Sequence, residues 1–208
     1  MAEDFIIAIA GLDSLNELDE LPRKIVESAR IAVNYAAERG RTKLAEGVLS
    51  ETDFPKSYVQ PAGKRLYVKK RATNATLEAV ISAQKRRTSL ARFAASGTPS
   101  GGARRGGVNV TVNPGQNRTM KGAFLVRLKS GDGADSVSQN IGLAVRTKNG
   151  RPPPGYRPVR LSENVWLLYG PSVAQVLFSD TNQGGVASDT APDIVQLMQR
   201  EFERQMAR

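Results

Sequence analysis

Cysteine and histidine are both absent from this sequence. Their absence removes thiol nucleophiles, disulfide frameworks, haem and iron–sulfur ligation, the common zinc sites and the Ser-His-Asp arrangement together. Long apolar runs are missing too: none approaches the roughly 20 residues needed to span a bilayer. "FIIAIAG" follows Glu3 and Asp4, where a signal peptide would carry positive charge, so the chain reads as intracellular and without a membrane partner. What is present suffices for folding, because 40% of the 208 residues are hydrophobic, enough to bury a core in one domain spanning 1–208.

The formal net charge of +10 is unevenly distributed. Residues 1–55 carry 11 acidic and 6 basic side chains, whereas residues 64–129 carry 15 Lys or Arg against the single Glu78. A segment of that charge repels itself and calls for an anionic neighbour, either nucleic acid or an acidic protein surface. The candidates facing such a partner are Lys69, Lys70, Arg71, Arg86, Arg87, Arg104 and Arg105. In an assembly of identical subunits this face can meet a different patch on its neighbour, the acidic first 55 residues being one candidate.

The periodicity predicts an α+β fold: an antiparallel β-sheet domain with a long N-terminal helix and a C-terminal amphipathic helix. "DFIIAIAGL" reads as a buried strand and "DSLNELDEL" as a short acidic helix. From Pro22, suited to a first helical turn, to about Gly47, the residues Ile25, Val26, Ala29, Ala32, Val33, Ala36 and Ala37 form one apolar face, prolonged by Leu44. Its alanines permit close approach of another element. "KRLYVKKRA" and "NATLEAVISAQ" predict a hairpin, and "GVNVTVN", "KGAFLVRLK", "IGLAVRTK" and "VWLLY" predict further strands. In "SDTAPDIVQLMQREFERQMAR", Thr190 with Asp193 reads as an N-terminal capping signal, followed by Ile194, Leu197, Met198, Phe202 and Met206 on one face. Residues 96–107 are rich in Gly, Ser and Pro and read as a mobile loop; residues 148–158, with three consecutive prolines, read as an extended spacer.

No catalytic constellation emerges, and the chain reads as a non-enzyme without cofactor or metal. "PAGKRLY" lacks the upstream glycine and the hydroxyl of a phosphate-binding loop, and "SGTPSGG" lacks the strand and spacing of a dinucleotide fingerprint. Asp13, Glu17, Asp19 and Glu20 read as a solvated helix surface. Aromatic residues are sparse in the basic segment, with Tyr67 and Phe93 before Phe124, which argues against base stacking there.

"VWLLYGPSVAQVLFSD" (165–180) stands out as the most apolar stretch. Gly170 admits a sharp turn, Pro171 presets a first helical turn, and Val173, Val176 and Leu177 fall on one helix face. Gly170, Pro171, Ser172 and Val173 form a candidate architectural or interface motif; Ser172, with no histidine to activate it, is assigned to helix capping or exposure.

The succession of the Ala-rich helix, "GKRLYVKKRATNATLEAVISAQKRRTSLARF", "MKGAFLVRLKSG" and "VWLLYGPSVAQVLFSD" resembles the minor tail protein Z family of long-tailed bacteriophages and prophages. The resemblance extends over most of the chain, and "GAFLVRLKSG" and "LLYGPSVAQVL" are its most specific blocks. It implies a structural virion protein that completes the head-proximal end of the tail and supports head–tail joining, assembled in the host bacterial cytoplasm. Its implied partners are tail and neck proteins and further copies of itself in a ring, a hexamer among the forms allowed, with genomic DNA as a further contact. A basic nucleic-acid-binding module is the alternative that the charge alone supports.

Overall fold

The computed structural model describes residues 5–10, 22–94, 107–128, 141–154, 156–178 and 185–208. The architecture is α+β, with every strand pairing antiparallel. The chain divides into two compact units, each built from separated segments: 1–49, 56–86 and 173–208 in the first, 50–55 and 87–172 in the second. The expected acidic helix at 13–21 and most of the 96–107 loop, including Arg104 and Arg105, lie outside the described residues.

In the first unit, α1 (Arg23–Glu51) buries a face of small residues, Ala29, Ala32, Ala36, Ala37 and Gly40 among them, continued by Leu44 and Val48. Pro22 stands just ahead of the helix, and its carbonyl accepts from the Ile25 amide at 2.8 Å. The small face admits α3 (Gly185–Met206) at close range. A Cβ on Gly40 would lie 2.9 Å from Ile194 Cδ1, and one on Gly47 would lie 2.4 Å from Val186 Cγ1. The order of those contacts, Gly40 with Ile194 and Gly47 with Val186, makes the helices antiparallel. Each glycine costs a helix interior roughly 1 kcal/mol relative to alanine, so here the close approach decides the residue.

The predicted face of α3 is observed as a packing face. Ile194 is buried, and Phe202 packs against Val26, Ala29 and Leu77. The capping expectation is corrected: α3 begins at Gly185, with φ +69°, and Thr190 lies inside it, its hydroxyl donating to the Val186 carbonyl at 2.5 Å. Pro192 is therefore interior, and it is tolerated on an exposed position where the carbonyl it leaves without a helical donor belongs to exposed Ser188.

The unit's sheet has the order β1–β3–β2, from Phe5–Ala10, Glu78–Ala83 and Leu66–Lys70. Central β3 is buried from Ala79 through Ala83, as expected for a strand covered on both sides. The hairpin joining β2 and β3 is tied to α1 by Asn34, whose amide donates to the Ala72 carbonyl (3.0 Å) and accepts from the Ala72 amide (2.8 Å). Short α2 (Val173–Leu177) buries Val173, Ala174 and Leu177, and its Ala174 amide donates to the Gln84 carbonyl at 3.2 Å.

The second unit holds a two-stranded sheet, β4 (Val108–Thr111) with β5 (Asn117–Met120). Beside it in sequence is a four-stranded sheet of order β6–β7–β9–β8: Ala123–Arg127, Ile141–Arg146, Val165–Leu168 and Val159–Ser162. Strands β5 and β8 carry almost wholly exposed residues; β5 has no apolar alternation in the sequence, and the alternating Val159 and Leu161 of β8 remain exposed. A one-turn 3-10 helix, Leu90–Phe93, contributes Leu90 and Phe93 to the core with Leu143 and Leu168; the Phe93 and Phe54 ring centroids are 5.2 Å apart. Full burial of such side chains stabilises by roughly 1.5–3 kcal/mol each. The 148–158 spacer joins β7 to β8 and carries no strand or helix among its described residues.

Among the described residues, no helix is long and apolar enough to cross a membrane, and no group of three or more acidic side chains could hold a metal ion. The acidic residues at 13–20 lie outside the described set.

Candidate functional site

The segment 165–177 forms a strand, a turn and a helix, but Gly170, Pro171 and Ser172 act differently from the expectation. The backbone of Gly170 is outside the left-handed region; its constraint is close approach, since a Cβ would meet Leu90 Cδ2 at 3.0 Å and Phe93 Cε2 at 3.2 Å. Pro171 stands two residues ahead of α2 instead of in its first turn, because its carbonyl is engaged by the Thr88 amide (3.3 Å) while the Gly170 amide donates to the Thr88 carbonyl (2.8 Å). Residues 88–89 and 169–171 thus run as an antiparallel pair, extended by the Ser89–Tyr169 bridge. Ser89 fixes the start of the neighbouring 3-10 turn: its hydroxyl oxygen accepts from the Ala91 amide (3.3 Å) and its proton goes to the Ile141 carbonyl (3.2 Å). Ser172 is buried at 1% exposure, which replaces the exposed position the sequence allows for it. Val173, equally buried, opens the segment that returns to the first unit.

The basic candidates do not form one free face. Lys70 pairs with Glu78 at 2.6 Å, and Arg71 pairs with Glu38 on α1. Part of the expected complementarity between acidic N-terminal and basic middle segments is therefore satisfied within the subunit. Lys69 occupies a bulge of β2, between the register pairs Val68↔Ile81 and Lys70↔Val80, and is exposed on an edge strand. A charged bulge on a sheet edge discourages further strand addition. Arg86 is exposed in the first unit, whereas Arg87 belongs to the second and is half-buried. Partial burial first, and the like charge of Arg157 second, push the Arg87 guanidinium below its ordinary pKa.

The charge is also divided unequally between the two units. The second unit holds 13 Lys or Arg and 5 Asp or Glu; the first holds 17 and 15. Thus +8 of the +10 belongs to the second unit. The ion pairs Arg23–Glu27, Lys43–Asp193, Lys70–Glu78, Arg71–Glu38 and Arg204–Glu201 all lie in the first.

A cleft of about 440 Å³ opens in the second unit, lined by Val110, Val112, Asn113, Gln116, Asn117, Arg118, Tyr156, Gly170 and Pro171. Two turns build it. Asn113-Pro114-Gly115-Gln116 closes the β4–β5 hairpin with Gly115 at φ +76° and the Gln116 amide donating to the Asn113 carbonyl at 3.0 Å, the signature of a type II turn. Tyr156 adopts φ +40°, an uncommon conformation for a non-glycine residue, and its phenol oxygen accepts from Arg118 Nη1 at 3.1 Å. The sequence reading missed these residues: Tyr156 is embedded in a proline-rich spacer, and Arg118 lies on a strand with no apolar pattern. The Asn-Pro-Gly turn was the one local signal pointing there.

No family model, curated protein or solved structure matches the chain.

Proposed function

We propose that the chain is a structural protein of a long-tailed bacteriophage or prophage particle, acting at the head-proximal end of the tail and supporting its union with the head. The reading rests on the resemblance of several separated blocks to minor tail protein Z. The observation that carries it furthest is the use made of the most specific block. In "LLYGPSVAQVL", Gly170 is packed under Leu90 and Phe93, the Gly170 amide and Pro171 carbonyl close a backbone pair with Thr88, and Ser172 and Val173 are buried. Such packing supports an architectural role for the block. Neck and tail proteins and further copies of the chain in a ring are its proposed partners. Removing the protein from the phage should leave heads and largely formed tails that join poorly; normal infectious particles produced without it would contradict the reading.

A second reading, a basic nucleic-acid-binding module, draws support from the +8 charge of the second unit. Backbone phosphates are the commonest partner for such a surface, and their affinity falls steeply with salt.

A further inference from the structure

The cleft between the β4–β5 turn and Tyr156 brings together groups that the tail-completion reading does not use. Arg118 is exposed and directs one guanidinium N–H to the Tyr156 phenol oxygen. The remaining guanidinium donors suit a tetrahedral oxyanion, for which the planar fork is matched in geometry. Among the described residues, no carboxylate lines the cleft. Arg157 follows Tyr156 directly, and Arg87, which feels the Arg157 charge, precedes the Thr88 that is paired with cleft-lining Pro171.

The rest of the lining is not that of a bare phosphate site. Asn113, Gln116 and Asn117 offer amide donors and acceptors together, as the edge of a heterocyclic base requires. Val110, Val112 and Pro171 add apolar surface, and Tyr156 adds the aromatic ring that base-binding proteins use for stacking. The volume falls within the roughly 300–1,000 Å³ of small-ligand sites. Tyr156 is held at φ +40°, and residues kept in such sparsely populated backbone regions cluster at ligand sites.

We infer that this cleft binds a nucleoside phosphate unit, with Arg118 on the phosphate, Tyr156 and the apolar residues against the base, and the amides of Asn113, Gln116 and Asn117 on its edge. The unit is supplied either by a single nucleic-acid strand or by a free nucleotide. The inference deepens the nucleic-acid reading and is independent of tail completion.

The test is equilibrium binding of the full chain to a fluorescent single-stranded DNA dodecamer at low salt, with adenosine monophosphate and polyglutamate as competitors. The dodecamer should bind, Arg118→Gln should weaken it roughly tenfold or more, and Tyr156→Leu should weaken it as well. Lys148→Gln removes the same charge from an exposed turn outside the lining and should keep most of the affinity. Equal unfolding midpoints of the variants establish that the fold is retained. Displacement by adenosine monophosphate identifies free nucleotide as a source; its failure to displace, with the Arg118 and Tyr156 effects intact, identifies the strand. Binding that is equally weakened by Arg118→Gln and Lys148→Gln would overturn the cleft while leaving a diffuse nucleic-acid surface. Displacement by polyglutamate alone would assign the cleft to acidic protein; failure of the dodecamer alone would overturn the strand as its source, and binding of neither the dodecamer nor fluorescent adenosine monophosphate would overturn this inference.

Discussion

Gly47 of α1 lies so close beneath Val186 of α3 that a Cβ on it would come within 2.4 Å of Val186 Cγ1. Val186 is β-branched, and its side chain has little rotamer freedom with which to withdraw. Gly47→Ala should therefore destabilise by about 1–3 kcal/mol despite the better helix propensity of alanine. Val186→Ala in the same chain should recover part of the loss. Urea midpoints of the two single variants and the double variant measure this directly, and strictly additive losses would contradict the contact.

Gly170→Ala addresses the sheet-to-helix junction. The added methyl group would press on Leu90 and Phe93 at 3.0–3.2 Å, so the core of the second unit must shift by a few tenths of an ångström. A loss of roughly 1–2 kcal/mol is expected, at the lower end of overpacking effects. A glycine retained for backbone freedom alone would show no rescue by a smaller neighbour; here Leu90→Val should lessen the penalty. Thermal unfolding of the single and double variants separates the two explanations.

Glu201 supplies an acid-sensitive contact within α3. It is 5% exposed and accepts from Arg204 Nε (2.8 Å), Arg204 Nη2 (2.6 Å) and Gln205 Nε2 (2.6 Å). The Arg204 hydrogen bonds lead in holding its carboxyl below the ordinary glutamate range, against the opposing effect of burial. With its folded pKa depressed, the contribution is present above the unfolded value of about 4.3 and is lost as pH falls through the folded value. Glu201→Gln should be less stable at neutral pH and lose stability less steeply in acid. An unchanged slope of stability against pH below that range would contradict the assignment.

Charge reversal can now be aimed at the two first-unit candidates that are exposed beyond the Lys70–Glu78 and Arg71–Glu38 pairs. Lys69→Glu with Arg86→Glu should slow ring formation or tail joining, most visibly at low salt, while leaving the unfolding midpoint nearly unchanged. Exposed pairs contribute only about 0–1 kcal/mol each, so the effect should appear in association rate. Unchanged assembly across a salt series without DNA would move this surface away from a subunit or partner interface.

The helices are legible in the sequence because their burial follows a 3.6-residue period: the alanines of α1 and the Ile194–Phe202 face of α3 predict their own packing. Strands β4, β6, β7 and β9 are legible for the corresponding reason, having apolar residues to bury. Strand β5 is hidden because its residues are exposed and mostly polar, and β8, whose Val159 and Leu161 alternate with Arg160 and Ser162, is a four-residue run directly after the proline-rich stretch. The start of α3 is misjudged because a Thr-x-Pro-Asp run has the chemistry of a cap even where tertiary packing of Val186 extends the helix upstream. The basic candidates are legible by type but not by fate: only the fold brings Glu38 to Arg71. The cleft is the least legible, because Arg118 and Tyr156 are 38 residues apart and meet through two turns of unremarkable sequence.

The measurement that bears most directly on the central proposal is an electron-microscopy map of intact phage particles. A ring at the junction of tail and head, whose repeating density follows the α1–α3 pair and the β6–β7–β9–β8 sheet, is the result the account predicts. Complete, infectious particles in which the chain is absent from that junction would contradict it.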